Sequence, residues 1–137
     1  MNINIDFVNK LRNSGLRPTK QRLKICEVLF NTEKTFHFTI NDLSKIISEK
    51  LNQKISLATV YNTVHAFKKK GYLKEISMNS EKTYFDTNTS HHHHFFDSST
   101  KELTDLSDDQ VEKIKINKAL PGKKISSVEI LVKVENE

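Results

Sequence analysis

Residues 56–71, SLATVYNTVHAFKKKG, decide how the rest of the chain is read. Ser56 suits a helix N-cap and Gly71 suits the left-handed residue just past a helix end. Between them Leu57, Val60, Val64 and Phe67 recur at helical spacing and predict a buried stripe. Thr59, Tyr61, Asn62, Thr63 and His65 fall away from that stripe. Lys68, Lys69 and Lys70 close the helix where cations suit its dipole. A helix with one apolar stripe and one polar, aromatic face is built to pack on one side and touch a partner on the other.

Upstream, three more helices are expected. Residues 4–14 place Ile5, Val8 and Leu11, with Phe7 nearby, at helical spacing before Gly15. In GLRPTKQRLKICEVLF (15–30), Thr19 is an N-cap, and Leu23, Cys26, Val28, Leu29 and Phe30 make an apolar face. Lys20, Gln21 and Arg22 occupy its first turn. Cations there oppose the helix dipole, which calls for another partner. Thr39 and Asp42 form a capping box for a helix carrying Leu43, Ile46, Ile47 and Leu51. His37, just before it, reads as a packed loop histidine when taken alone.

Downstream, YLKEISM and KTYFDT are short strands around a turn at Asn79 and Ser80. Helix, helix, polar-faced helix and hairpin is the order of a winged helix-turn-helix, in which the second helix of the motif enters the DNA major groove. Charge agrees with that partner. Residues 1–82 hold fifteen Lys or Arg against seven acids, a net +8. Residues 83–137 hold seven against ten, a net −3, which leaves +5 for the 137-residue chain. A basic half points to a polyanion such as nucleic acid.

The stretch 84–94, YFDTNTSHHHH, sets Asp86 beside four consecutive histidines, His91 to His94. Carboxylate with imidazole suits Zn, Fe or Mn. Two histidines two apart point to one side of a strand, so His92 with His94 and His91 with His93 are both open as ligand pairs. After the histidines, Phe95 and Phe96 continue a strand and ELTDL, with Leu103 and Leu106 flanking Asp105, makes another. Ser107 and Gln110 cap a helix over DDQVEKIKINKAL, which Pro121 and Gly122 end. Alternating Val128, Ile130, Val132 and Val134 predict a final strand.

The single cysteine, Cys26, excludes an intrachain disulfide and a Cys-rich zinc site, and reads as a small core hydrophobe. No apolar run approaches the ~20 residues of a membrane span, and the N-terminus lacks a signal-peptide pattern, so a cytoplasmic protein is expected. No positioned nucleophile or general base accompanies the histidines, which argues against a metal-dependent hydrolase or any other enzyme.

GLRPTKQR (15–22), SLATVYNTVHAF (56–67) and KTYFDTNTSHHHHFF (82–96) together resemble the ferric uptake regulators, in particular the iron response regulator branch. The resemblance spans essentially the whole chain. It implies an α+β fold, with a winged helix-turn-helix over 1–84 and a small α/β dimerisation and sensing domain over 85–137. It also implies a homodimeric transcriptional regulator of iron and haem homeostasis on an A·T-rich dyad of double-stranded DNA. A repressor that answers to Fe or Mn without sensing haem, or a peroxide sensor, is the alternative within the same fold. Carried over residue by residue, the metal ligands fall on His37, Asp86, His92, His94 and Asp105, and haem would use His91, His92 and His93. Arg17, Lys20, Arg22 and Lys68, with Lys69, would neutralise phosphates, and Thr59, Tyr61 and Asn62 would reach bases. His65 reads as a surface or packing residue. Two departures stand out. Cys26 is followed by Glu27, so the Cys-Pro haem motif of some relatives is absent. The paired Cys-x-x-Cys motifs that hold a structural zinc in many members are absent too.

Overall fold

The structure is a computed structural model that describes residues 5–78 and 81–137. It divides into two compact units, Met1–Thr89 and Ser90–Glu137.

The first unit begins with α1 (Ile5–Asn13), α2 (Lys20–Phe30), β1 (His37–Phe38), α3 (Ile40–Leu51) and α4 (Leu57–Lys70). β2 (Lys74–Ile76) and β3 (Tyr84–Asp86) follow, and the three strands form an antiparallel sheet in the order β1-β3-β2. The helix starts are those the sequence signals. Thr19 accepts from the Arg22 amide, Thr39 and Asp42 close a reciprocal capping box, and Ser56 accepts from the Thr59 amide. Gly71 ends α4 at φ +88°, a left-handed conformation that glycine adopts without Cβ strain. The turn expected at Asn79 and Ser80 lies outside the described residues.

One apolar core joins the four helices to the sheet, and its largest fully buried side chains include Phe38, Phe67 and Phe85. The buried faces differ in detail from the spacing argument. α1 buries Phe7 and Leu11 and leaves Ile5 exposed, because i and i+4 lie on one helix face. α4 buries Val60, Thr63, Val64 and Phe67 but exposes Leu57. Thr63 is tolerated inside because its hydroxyl donates to the Thr59 carbonyl at 2.7 Å. β1 was not expected. It exists because His37 and Phe38 pair with Asp86 and Phe85 of β3. That pairing, with β2 on the other side, holds β3 in the first unit, so the unit runs to Thr89 where residue 84 was the expected end.

The second unit is a three-stranded sheet, β5-β4-β6, of β4 (His92–Asp97), β5 (Glu102–Ser107) and β6 (Leu131–Val134). β4 runs antiparallel to β5 and parallel to β6. A parallel pair needs a long crossover, here residues 108–130. The helix expected in that crossover does not form. Its capping signal survives, since the Ser107 amide donates to Gln110 Oε1 at 3.0 Å. Only one 3-10 turn, Asp108–Gln110, follows. Ile114, Ile116 and Leu120 stay 45–64% exposed, so no packing surface offsets the cost of ordering a short helix. The final strand is also shorter than its alternation suggests and begins at Leu131.

No helix among the described residues is long and apolar enough to cross a membrane.

Candidate metal centre and nucleic-acid interface

Each unit carries its own carboxylate–imidazole set. In the first, β1 and β3 place His37 directly opposite Asp86. His37 Nε2 lies 3.3 Å from Asp86 Oδ2, and the Asp86 side chain is almost fully buried. Its other oxygen accepts from the Asn88 amide at 2.9 Å. A buried carboxylate needs such partners, because an uncompensated charge there is costly. The loop position expected for His37 is thus a strand position.

In the second unit the alternation of β4 sorts the four histidines onto two faces. His94 lies opposite Asp105, and His92 and His94 approach the same Asp105 Oδ1 at 3.3 and 3.5 Å. His91 and His93 turn the other way, toward Asp108, at 3.6 and 2.9 Å. His92, His93 and His94 are buried and His91 is exposed.

Hydrogen bonds distinguish the two faces. His92 Nδ1 lies 2.7 Å from the Ser90 carbonyl, which can only accept, so Nδ1 carries the proton. In the neutral ring Nε2 then presents its lone pair on the side of Asp105. Donation of the second ring nitrogen to a backbone carbonyl is how metal-ligating histidines are commonly oriented. His93 has the opposite tautomer. Its Nδ1 accepts from the Ile130 amide at 3.0 Å, so Nε2 is the protonated nitrogen and donates to Asp108 at 2.9 Å. The His92 face suits a cation, and on the other face His93 has a complete set of hydrogen bonds. Ser90 and Ile130 act through their backbones, and no side-chain signal could have marked them in the sequence. Asp108, which opens the DDQVEKIKINKAL segment, serves His93.

The polar face of α4 is open. Tyr61 is 50% exposed and Asn62 is exposed, and Asn62 borders a cleft of about 400 Å³ with Asn13, Ser14, His65, Lys69 and Lys70. Thr59 is half-buried, with its hydroxyl 2.9 Å from that of Ser56. Lys68 pairs with Glu75 at 2.8 Å, so its charge is shared within the unit. At the start of α2, Arg17 and Lys20 are exposed, and the Arg22 guanidinium donates to the Arg17 carbonyl at 3.1 Å. Cys26 is fully buried, and burial pushes its thiol up to about 12.

The sequence model of the ferric uptake regulator family matches residues 13–133. The chain belongs to that family. Among its relatives, the peroxide-responsive repressor PerR of Staphylococcus epidermidis is 33% identical over 84 residues, 61% of this chain and 54% of that protein. The ferric uptake regulation protein of Yersinia pestis is 36% identical over 81 residues, 59% of this chain and 53% of that one. The chain thus spans about half the length of the curated relatives it matches. Among solved structures, the ferric uptake regulator of Vibrio cholerae superposes with a TM-score of 0.71 at 25% identity, over 94% of this chain and 98% of that one. That of Pseudomonas aeruginosa, solved with manganese, gives a TM-score of 0.68 at 21% identity, over 96% and 98%, a likeness of fold. This ferric uptake regulator family member therefore has the α+β architecture of its relatives.

Proposed function

We propose that this chain is a homodimeric, metal-responsive transcriptional regulator that binds double-stranded DNA in the cytoplasm. In this reading, α4 enters the major groove of an A·T-rich dyad. Tyr61 and Thr59 reach thymine methyls and Asn62 pairs with adenine. Arg17, Lys20, Arg22 and Lys69 neutralise phosphates, joined by Lys68 if it leaves Glu75.

His37 and Asp86 of the first unit and His92, His94 and Asp105 of the second are proposed to ligate one divalent cation, Fe or Mn. Neither set alone provides the donors that such ions favour. A cation bound by both sets supplies a charge that ties the units together and shifts the population of DNA-competent dimers. The observation that carries this reading is the 2.7 Å contact of His92 Nδ1 with the Ser90 carbonyl, which leaves Nε2 facing Asp105.

A haem-responsive regulator, the reading drawn from the iron response branch, has support in the exposed side chain of His91. Haem on His93 would have to displace the bonds from Ile130 and to Asp108. The bare cation is therefore preferred.

The test is selection of duplexes from a random pool by the full chain, with no metal, with Mn(II) and with haemin. Enrichment of an A·T-rich dyad with Mn(II) is expected. Failure to enrich any duplex under all three conditions refutes the DNA reading, and enrichment governed by haemin alone refutes the cation reading.

A further inference from the structure

β1 and β3 form a ladder of two rungs, His37 opposite Asp86 and Phe38 opposite Phe85. Successive strand residues face opposite sides of a sheet. The proposed ligand rung and the phenylalanine rung therefore share two backbones and look in opposite directions. Phe38 and Phe85 are fully buried and stack, with centroids 5.7 Å apart and planes at 25°. Over Phe85 stands His65 of α4, at 5.6 Å and 87°, the edge-to-face arrangement that aromatic rings favour. His65 also lies with its ring centroid 4.1 Å from that of Tyr61, one helical turn away. Ring contacts thus run without a break from the strand that carries Asp86 to the half-exposed Tyr61.

We propose that His65 is a positioning residue, which holds the Tyr61 ring for base contact and transmits to it the state of the His37–Asp86 rung through Phe85. The inference rests on the proposed roles of α4 and of the His37–Asp86 pair. An exposed tyrosine that is free to rotate must be ordered when DNA binds, and that ordering opposes association. A ring already seated on His65 has lost that freedom beforehand. A cation on His37 and Asp86 fixes the spacing of β1 and β3 at their rung. The neighbouring rung shares those backbones, so Phe85 takes a defined place under His65. DNA affinity then gains from the cation although α4 does not touch it, and by linkage DNA tightens cation binding by the same factor.

The test uses the full chain and a duplex selected by the wild type, with affinities measured by fluorescence anisotropy with and without Mn(II). In the wild type, Mn(II) is expected to tighten binding within the ~5–150-fold usual for coupled sites. His65→Ala should reduce that gain to less than about twofold, and should also lower the metal-free affinity because the Tyr61 ring is no longer seated. His65→Phe, which retains a ring between Tyr61 and Phe85, should restore it. A second readout needs no DNA. With 3-fluorotyrosine incorporated, the 19F signal lost in Tyr61→Phe identifies Tyr61. That signal should move on addition of Zn(II) in the wild type and in His65→Phe, and stay in place in His65→Ala. An undiminished Mn(II) gain in His65→Ala, or a Tyr61 signal that Zn(II) does not move in the wild type, overturns the inference and leaves the proposed function standing. A wild type whose DNA affinity ignores Mn(II) overturns both.

Discussion

Among the described residues the first unit buries sixteen apolar side chains, whereas the second buries one, Leu106, beside His92, His93 and His94. The first unit has the interior of an ordinary small domain. The second has an interior of imidazoles satisfied by carboxylates and backbone, which gives little hydrophobic stabilisation and much sensitivity to ligands. It also leaves Ile114, Ile116, Leu120 and Ile125 exposed along the crossover. So small a core usually needs a further device, and burial against a second copy is the one that the proposed homodimer supplies. Hydrophobic stabilisation is thus concentrated in the first unit among the described residues.

Phe67→Ala should lower the stability of the first unit by about 3–5 kcal/mol in urea unfolding. The matching truncation in the second unit, Leu106→Ala, should lower it by less than half as much. Equal losses would mean that the second unit owns a core comparable to the first.

His92→Ala and His94→Ala should each weaken Mn(II) binding beyond the ~10–100-fold that an outer partner costs. His91→Ala and His93→Ala should stay within about tenfold of the wild type by calorimetry, because their face is closed by Asp108 and Ile130. The reverse order would reassign the ligand pair.

Smaller effects test the first unit alone. Thr39→Ala removes the α3 capping box and should lower stability by about 1 kcal/mol in urea without altering Mn(II) affinity. Cys26 gives a pH signature. Its thiol ionises near 9.0 when free and at about 12 in the fold. Between those values the unfolded chain has released a proton that the folded chain retains, so stability falls as pH rises from 9.0 toward 12. Cys26→Ala should flatten that part of the profile measured by thermal unfolding. An unchanged slope would show that the thiol is not held in the core.

The first unit was largely legible in the sequence, because its information is local. Thr19, Thr39 with Asp42, Ser56 and Gly71 each mark a helix end by a bond to a neighbour in sequence. Burial was less legible. Thr63 enters the core through a bond to a backbone carbonyl, and Ile5 leaves it because Phe7 and Leu11 hold the face. In the second unit the helix signals of Ser107, Gln110, Pro121 and Gly122 are real, yet propensity without a packing surface does not make a helix. From the residues alone, His92 with His94 and His91 with His93 are both open as a ligand pair, and the resemblance alone favours the first. The Ser90 carbonyl and the Ile130 amide separate them, and both are backbone groups set by strand register.

The proposed function requires one cation that takes donors from both units. Counting bound Mn(II) by equilibrium dialysis, with free Mn(II) read by EPR, tests it most directly. One tight Mn(II) per chain is expected, lost in Asp86→Asn and equally lost in His92→Ala, since in the proposed function either unit alone is an incomplete site. Two independent tight ions per chain, or tight binding that survives Asp86→Asn, would contradict it.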